Sequence, residues 1–259
     1  MALNKILQKV KDIVIHTGDH IQRISNQKKN IAYKGVVNLV TQFDNMAQKL
    51  IVKFLLKNFP DYGILSEENV RHNIDKPIKW LLDPLDGTTN FAHNLPIWAI
   101  SLGLEMDGLI VLGIVYDPTR KELFTAIRGQ GAFLNARKIQ VSKTKNLEKS
   151  LLVTGFPYDI RESKQNNLNY FARFCMRAQA VRRLGSAALD LCYTACGRFD
   201  GYWELKLSPW DQAAGSLILQ EAGGKITDFR GQPFSIYGKE VLCTNGLIHK
   251  QMMKVLNFR

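Results

Sequence analysis

Acidic side chains end several otherwise apolar segments of this 259-residue chain: Asp44 in NLVTQFD, Glu67 in ILSEEN, Asp83 and Asp86 in WLLDPLDGTTNF, and Asp211 in SPWDQAAG. Taken singly, each reads as a turn or helix-cap residue. Taken as a set they are costly, because carboxylates gathered at the mouths of core elements repel one another unless a cation neutralises them. The donors are hard oxygens without a histidine or cysteine set, which points to magnesium or manganese rather than zinc. In DPLD, Pro84 bends the chain so that Asp83, Asp86 and the Leu85 carbonyl can face one point. Gly87 permits a tight turn, and Gly87-Thr88-Thr89 then offers backbone N–H groups at a predicted helix start, a seat suited to phosphate. Metals beside a phosphate cradle imply phosphoryl transfer to water.

Other motifs compete for attention and fail on context. CYTACGR, from Cys192 to Arg198, has the spacing of a cysteine phosphatase loop. Ala187, Leu191 and Ala195 nevertheless place Cys192 inside a helical pattern, where no loop could wrap a phosphate. An Asp-x-Asp nucleophile pair is excluded because two residues separate Asp83 from Asp86. His16 and His20 in HTGDH lack the glutamate of a zinc-binding HExxH helix and read as a solvent-facing pair. GQGAFL lacks a third glycine and reads as a turn, and His93 is placed beside the site opening rather than on a metal.

The elements that must carry these residues are legible from periodicity. Leu3, Ile6, Leu7, Val10, Ile13, Val14, Ile21 and Ile24 predict a helix over residues 3–27. Met46, Leu50, Ile51, Phe54 and Leu55 predict a second, with Thr41 and Asp44 at its start. A short strand follows in ILSEEN, and residues 97–135 read as several strands with a hairpin signal at Asp107-Gly108. The second half mixes strands (SLLVTGF, GYWELKL, KITDF, VLCTN) with helices over 166–176, after Gly185, and from near Asp211 to the glycines at 223–224. KTKNLEKS, residues 143–150, is the most plausible seam, dividing the chain into halves 1–146 and 147–259 of one compact unit.

Composition is that of a globular protein: 46% hydrophobic residues, with apolar runs far too short to span a bilayer. The N-terminal stretch reads as an amphipathic helix rather than a signal peptide. The four cysteines form no CxxC pair, so reduced thiols and a cytoplasmic location are expected. A net charge of +12 favours acidic partners such as nucleic acid. It is spread over Lys49, Lys53 and Lys57 at helical spacing and over Arg173, Arg177, Arg182 and Arg183, which read first as solvated helix faces.

WLLDPLDGTTNFAHNLPIWAISLGL resembles the first signature of the inositol monophosphatase family, and WDQAAGSLILQEAGG resembles its second. SEEN and NLVTQFD resemble the family's Glu-Glu and Asp-ending segments, in the right order over nearly the whole chain. Asn38 stands where an aspartate is common and Ser66 where a glycine is common. The resemblance implies a layered α/β sandwich of alternating helices and mixed sheets, the fold shared with fructose-1,6-bisphosphatase-like sugar phosphatases. It implies a Mg2+-dependent phosphomonoesterase acting on inositol monophosphate or a related polyol phosphate through metal-activated water. Glu67, Asp83 and the Leu85 carbonyl would hold one magnesium; Asp83, Asp86 and Asp211 would hold a second. A third, weaker ion would lean on Glu67, and Mn2+ could substitute. Thr88 with Glu67 would orient the attacking water, Asp44 would support Thr88, and the Gly87 and Thr88 backbones would receive phosphate. Asp86, Gly185, Ser186, Ala187 and Glu204 would meet the alcohol. A homodimer and lithium sensitivity are further implications. The bacterial branch of the family also includes a protein of a ribosomal-RNA antitermination complex, so contact with RNA polymerase or RNA through the basic surface, with catalysis dispensable, is the alternative role.

Overall fold

The computed structural model describes residues 2–25, 29–33 and 39–258. In chain order the elements of the first half are α1 (Leu3–Ile24), β1 (Ile31–Tyr33), β2 (Leu39–Thr41), α2 (Gln42–Asn58), β3 (Gly63–Ser66), β4 (Arg71–His72), β5 (Ile78–Asp86), α3 (Thr88–Ala92), β6 (Ala99–Met106), β7 (Leu109–Asp117), β8 (Glu122–Ile127), β9 (Ala132–Leu134) and β10 (Arg137–Lys138). After a single 3-10 turn at Leu147–Lys149 come β11 (Leu151–Thr154), α4 (Leu168–Cys175), β12 (Ala180–Arg182), α5 (Ala187–Ala195), β13 (Gly201–Leu205), α6 (Pro209–Glu221), β14 (Lys225–Thr227), β15 (Glu240–Thr244) and α7 (His249–Leu256).

Strands β3 to β10 form an eight-stranded sheet in the order β10-β9-β8-β7-β6-β5-β3-β4, and β11 to β15 a five-stranded sheet in the order β12-β11-β13-β15-β14. Both are mixed: β3 runs parallel to β5, and β11 runs parallel to β12 and β13, among otherwise antiparallel neighbours. Side chains alternate across each strand, so each sheet needs cover on both faces. Trp80 and Leu82 of β5 turn to one face and pack with Ile6, Val10 and Val14 of α1 and Phe43, Ile51 and Leu55 of α2. Leu81 turns to the opposite face, joining Leu189 and Leu191 of α5, Leu217 of α6, and Tyr202 and Cys243 of the second sheet. The outer face of that second sheet, with Leu152, Trp203 and Leu242, is closed by Phe174 of α4 and Met252 of α7. The layers therefore run helix, sheet, helix, sheet, helix, as the resemblance implied.

The local predictions mostly survive. The Asp107-Gly108 hairpin is a two-residue turn with both residues left-handed, φ 50° and 79°, the conformation that matches strand twist. Helix α1 ends at Ile24 with Ser25 as its cap, three residues before the predicted end, and residues 26–28 lie outside the described set. The predicted start of α6 near Asp211 is corrected to Pro209: Ser208 N–H donates to the Asp211 carboxylate at 2.7 Å, placing that aspartate in the first turn.

Helix α6 is buried on every side from Gln212 to Leu219, between the two sheets. It can lie there because the first sheet presents bare backbone beneath it. A Cβ built on Gly103 would come 2.9 Å from the Ala213 Cβ, and one on Gly113 would come 2.7 Å from the Ala214 carbonyl oxygen. At its far end, Gly129 and Gly131 N–H donate to the Glu221 carboxylate at 2.8 Å each, so the GQG turn anchors a helix end. We expect Gly113→Ala to cost about 1–3 kcal/mol by overpacking, read as a lower urea midpoint, because neither backbone can retreat.

Candidate active site

Asp83 and Asp86 are three residues apart, a spacing that sends side chains to opposite faces of a regular strand. Strand β5 does not end at Pro84, as a bend there would suggest, but continues to Asp86 through a bulge. Asp83 pairs with Ser101 and Asp86 with Ala99, so one extra residue is absorbed between them. The bulge returns both carboxylates to one cavity. Leu85 N–H donates to Asp83 Oδ1 at 2.9 Å, which fixes the first aspartate against its own turn. Asp86 Oδ2 accepts the Ser186 hydroxyl at 2.6 Å and Ala188 N–H at 2.7 Å, joining the end of β5 to the start of α5. The polar groups of Ser186 and Ala188 are thus directed at Asp86 itself.

Glu67 follows β3, and its backbone N–H donates to the Leu82 carbonyl at 3.1 Å, next to Asp83. Ser66, where a glycine was expected, is buried and donates to Gln48 Oε1 at 2.5 Å; Gln48 also donates to the Glu68 carbonyl at 2.9 Å. Helix α2 thereby grips the Glu-Glu segment. Asn38 lies outside the described residues. Thr88 Oγ1 sits 2.9 Å from Asp44 Oδ1 and 3.0 Å from the Leu85 carbonyl oxygen, its one proton shared between two acceptors. Asp44 is fully buried, and its other oxygen accepts Thr41 N–H at 2.8 Å. It stands behind Thr88, not on the cavity wall.

The cavity holds about 280 Å3 and lies between the halves, lined by Glu67, Asp83, Leu85, Asp86, Gly87, Thr88 and Asp211, with Gly185, Ser186, Ala187 and Glu204 on the other side. Every residue assigned to the site from sequence is on this wall except Asp44, which braces it from behind. Sequence reasoning left out Arg183, Asp190 and the loop Gly155–Tyr158, which also line the cavity. Arg183 was legible only as surface charge, and Asp190 looked like any helix-interior residue. Lys206 ties the neighbouring loop down, donating to Asp159 at 2.6 Å and to Ser163 at 2.8 Å. His93 is exposed and does not line the cavity.

Electrostatics mark this wall as strained. Burial first, and then Glu67 and its neighbours, push the carboxyls of Asp83 and Asp211 well above the ordinary range. Burial raises Asp86 to about 6, against the Ser186 and Ala188 hydrogen bonds that lower it. Burial likewise raises Glu204 to about 7. Among the described residues no lysine, arginine or histidine forms an ion pair with Asp83, Asp86 or Asp211. Nor, among them, do three or more histidine, cysteine, aspartate or glutamate side chains already stand close enough together to hold a metal ion. The donor chemistry, carboxylate oxygens plus a backbone carbonyl without nitrogen or sulfur, fits a hard divalent cation.

The decoys resolve clearly. Cys192 is fully buried in α5, and burial pushes its thiol well above the usual range, the opposite of an activated nucleophile. Arg198 pairs with Glu122 and lies over the Tyr193 ring. His16 is exposed and His20 half-buried on α1, with Thr17 and Gly18 between them packed inward. Lys49, Lys53 and Lys57 are exposed along one face of α2. Among the described residues no helix is long and apolar enough to cross a membrane.

Comparison with known proteins agrees with this architecture. The sequence profile of the inositol monophosphatase family matches residues 3–258. An inositol-1-monophosphatase of Synechocystis sp. is 43% identical over 252 residues, 96% of this chain and 88% of that protein. The Nus factor SuhB of Salmonella typhimurium is 40% identical over 221 residues, 85% of this chain and 83% of that protein. The solved structure of an inositol monophosphatase from Anabaena (Nostoc) sp. superimposes with a TM-score of 0.90 at 41% identity, covering 98% of this chain and 96% of that one. With its two signatures on one cavity wall and its five layers matched along the whole chain, the protein belongs to the inositol monophosphatase family.

Proposed function

We propose that the protein is a magnesium-dependent phosphomonoesterase that hydrolyses inositol monophosphate or a closely related polyol phosphate. The observation that carries this reading is the convergence of Glu67, Asp83, Asp86 and Asp211, from three separate segments, on one cavity that also holds Thr88 and Glu204. A divalent cation held there would lower the pKa of a water and neutralise charge developing on phosphate. Glu67, Asp83 and the Leu85 carbonyl are the groups for one ion, and Asp83, Asp86 and Asp211 for another, with Asp83 shared.

The chain's own residues supply the rest. The backbone at Gly87 and Thr88 receives the phosphoryl oxygens beside the carboxylates. Gly87 is left-handed, φ 97°, and a Cβ there would come 2.8 Å from the Ile97 carbonyl oxygen, so the turn requires glycine. Thr88 is held by Asp44 at 2.9 Å, which orients its hydroxyl toward an attacking water, with Glu67 as the second partner. Glu204 faces the leaving alcohol from the opposite wall and accepts its hydroxyls.

The likeness to a Nus factor and the exposed lysine row of α2 favour a second reading, a binding role toward RNA polymerase or RNA that needs no catalysis. One variant separates the two. Asp83→Asn is expected to lower magnesium-dependent phosphate release by about a thousandfold, the loss of roughly 4 kcal/mol of charge stabilisation. Near-wild-type release would refute the metal assignment. If cells carrying only this variant keep a phenotype that the deletion loses, the binding role is the one that matters there.

The raised carboxyls give an independent check. Asp86 at about 6 and Glu204 at about 7 bind protons in the folded state that an unfolded chain has already released. The metal-free fold therefore loses stability as pH rises from about 4 through about 7. A bound cation reverses this penalty at the metal-facing groups. Saturating magnesium should raise Tm more at pH 8 than at pH 5, as measured by scanning calorimetry; an equal shift at both would contradict the site.

A further inference from the structure

Helix α2 supplies two of the polar groups that stand behind the cavity. Its buried face runs Phe43, Asp44, Ala47, Gln48, Ile51 and Leu55, and the apolar members pack with Trp80 and Leu82 of β5. Asp44 and Gln48 are four residues apart, so they share one side of the helix, about 6 Å apart along its axis. Asp44 reaches Thr88. Gln48 is buried, does not line the cavity, and has both ends of its amide engaged. Its Oε1 accepts the Ser66 hydroxyl at 2.5 Å, and its Nε2 donates to the Glu68 carbonyl at 2.9 Å. The two contacts fall on either side of Glu67.

The turn that carries Glu67 is anchored at its base by backbone. Ser66 N–H donates to the Val70 carbonyl at 2.9 Å, and Glu67 N–H donates to the Leu82 carbonyl at 3.1 Å. Asn69 is left-handed, φ 64°, and turns the chain back toward β4. Gln48 reaches past this base to the Glu68 carbonyl. Packing alone does not call for a glutamine here, since an apolar side chain of similar size would complete the face of α2. A buried amide costs stability unless both its polar ends are met, and both are met by the two neighbours of Glu67.

We propose that Gln48 and Ser66 are positioning residues that lock the Glu67 turn in register with Thr88, so that α2 acts as a rigid spacer between the two groups that orient the attacking water and sets the affinity for the ion at Glu67. The proposal rests on the phosphatase reading and adds to it two residues that touch neither substrate nor metal. Asp44 fixes Thr88 from one turn of the helix, and Gln48 fixes Glu67 from the next. Moving either group relative to the other requires bending α2 or breaking a buried hydrogen bond. A misplacement of about 1 Å in a reacting constellation costs on the order of a hundredfold in rate.

The test measures kcat and KM for inositol monophosphate at saturating magnesium, together with the Mg2+ dissociation constant of the substrate-free protein by titration calorimetry. Gln48→Leu keeps the volume and removes both hydrogen bonds, and Ser66→Ala removes one. Ile51→Val, on the same buried face of α2, trims the packing alone. Gln48→Leu is expected to lower kcat about tenfold, leave KM within about twofold and weaken Mg2+ binding about fivefold. Ser66→Ala is expected to act in the same direction by about threefold. Ile51→Val should lower the urea midpoint and leave kcat and the Mg2+ constant at their wild-type values. Wild-type kcat and Mg2+ affinity in Gln48→Leu would overturn the proposal and leave the phosphatase reading intact. Equal losses in Ile51→Val would mark a merely structural role and overturn it in the same way. Should Gln48→Leu not fold, Ser66→Ala decides on the same two constants. A wild type that releases no phosphate from inositol monophosphate and binds no Mg2+ would overturn that reading and the proposal with it.

Discussion

The constraint on which the rest of the structure depends is the crowding of carboxylates at one buried cavity. Glu67, Asp83, Asp86 and Asp211 come from a turn, two positions on one strand and a helix, and each is felt by the others through low-dielectric protein. A fold can tolerate that only by holding each group from behind. Leu85 N–H serves Asp83, Ser186 and Ala188 serve Asp86, and Ser208 N–H serves Asp211. These bonds keep the oxygens aimed at the cavity without neutralising them, and the repulsion that remains is what the proposed divalent cation would relieve.

Much of the framework can be understood as what such positioning demands. Asp211 belongs to a helix buried on all sides, which closes on the first sheet because Gly103 and Gly113 have no side chains to obstruct it. Its capping pattern is repeated in α2, where Thr41 and Asp44 exchange the same kind of contact and Asp44 uses its other oxygen on Thr88. An N-terminal cap is usually a local stabiliser worth about 1 kcal/mol. Here two caps double as parts of the site, so helix initiation and site assembly depend on the same atoms.

The two ends of the cavity obey different rules. Where Asp83, Asp86 and Asp211 gather, each carboxylate is supported by hydrogen-bond donors, and among the described residues none of these three forms an ion pair with a cationic side chain. On the opposite wall, Glu204 accepts the Tyr202 hydroxyl and lies against the bare backbone of Gly155, and among the described residues Asp190 Oδ1 has no hydrogen-bond partner. The first arrangement suits a chemistry common to many phosphate esters. The second suits a choice among alcohols, and it lies on strand β13 and helix α5, elements distant in sequence from the signature at β5.

A good part of this could be read in the amino-acid order. Local chemistry determined the helices α1 and α2, the Asp107-Gly108 hairpin and the acid-rich ends of apolar segments, because each depends on neighbours a few residues apart. The same locality made DPLD recognisable as a place where core-building stops. It also misled: a proline between two aspartates suggests a bend, yet β5 runs on to Asp86, and only pairing with β6 shows that a bulge sets both carboxylates on one face. Asp190, Arg183 and Gly155 carried no local signal of a site, since they meet Glu204 or its cavity only across 14 to 49 residues of chain. Sequence by itself determined which groups were available and what reaction they suit. Tertiary structure alone decided which of them share a cavity, because burial, repulsion and a missing Cβ act through space and leave no periodicity behind.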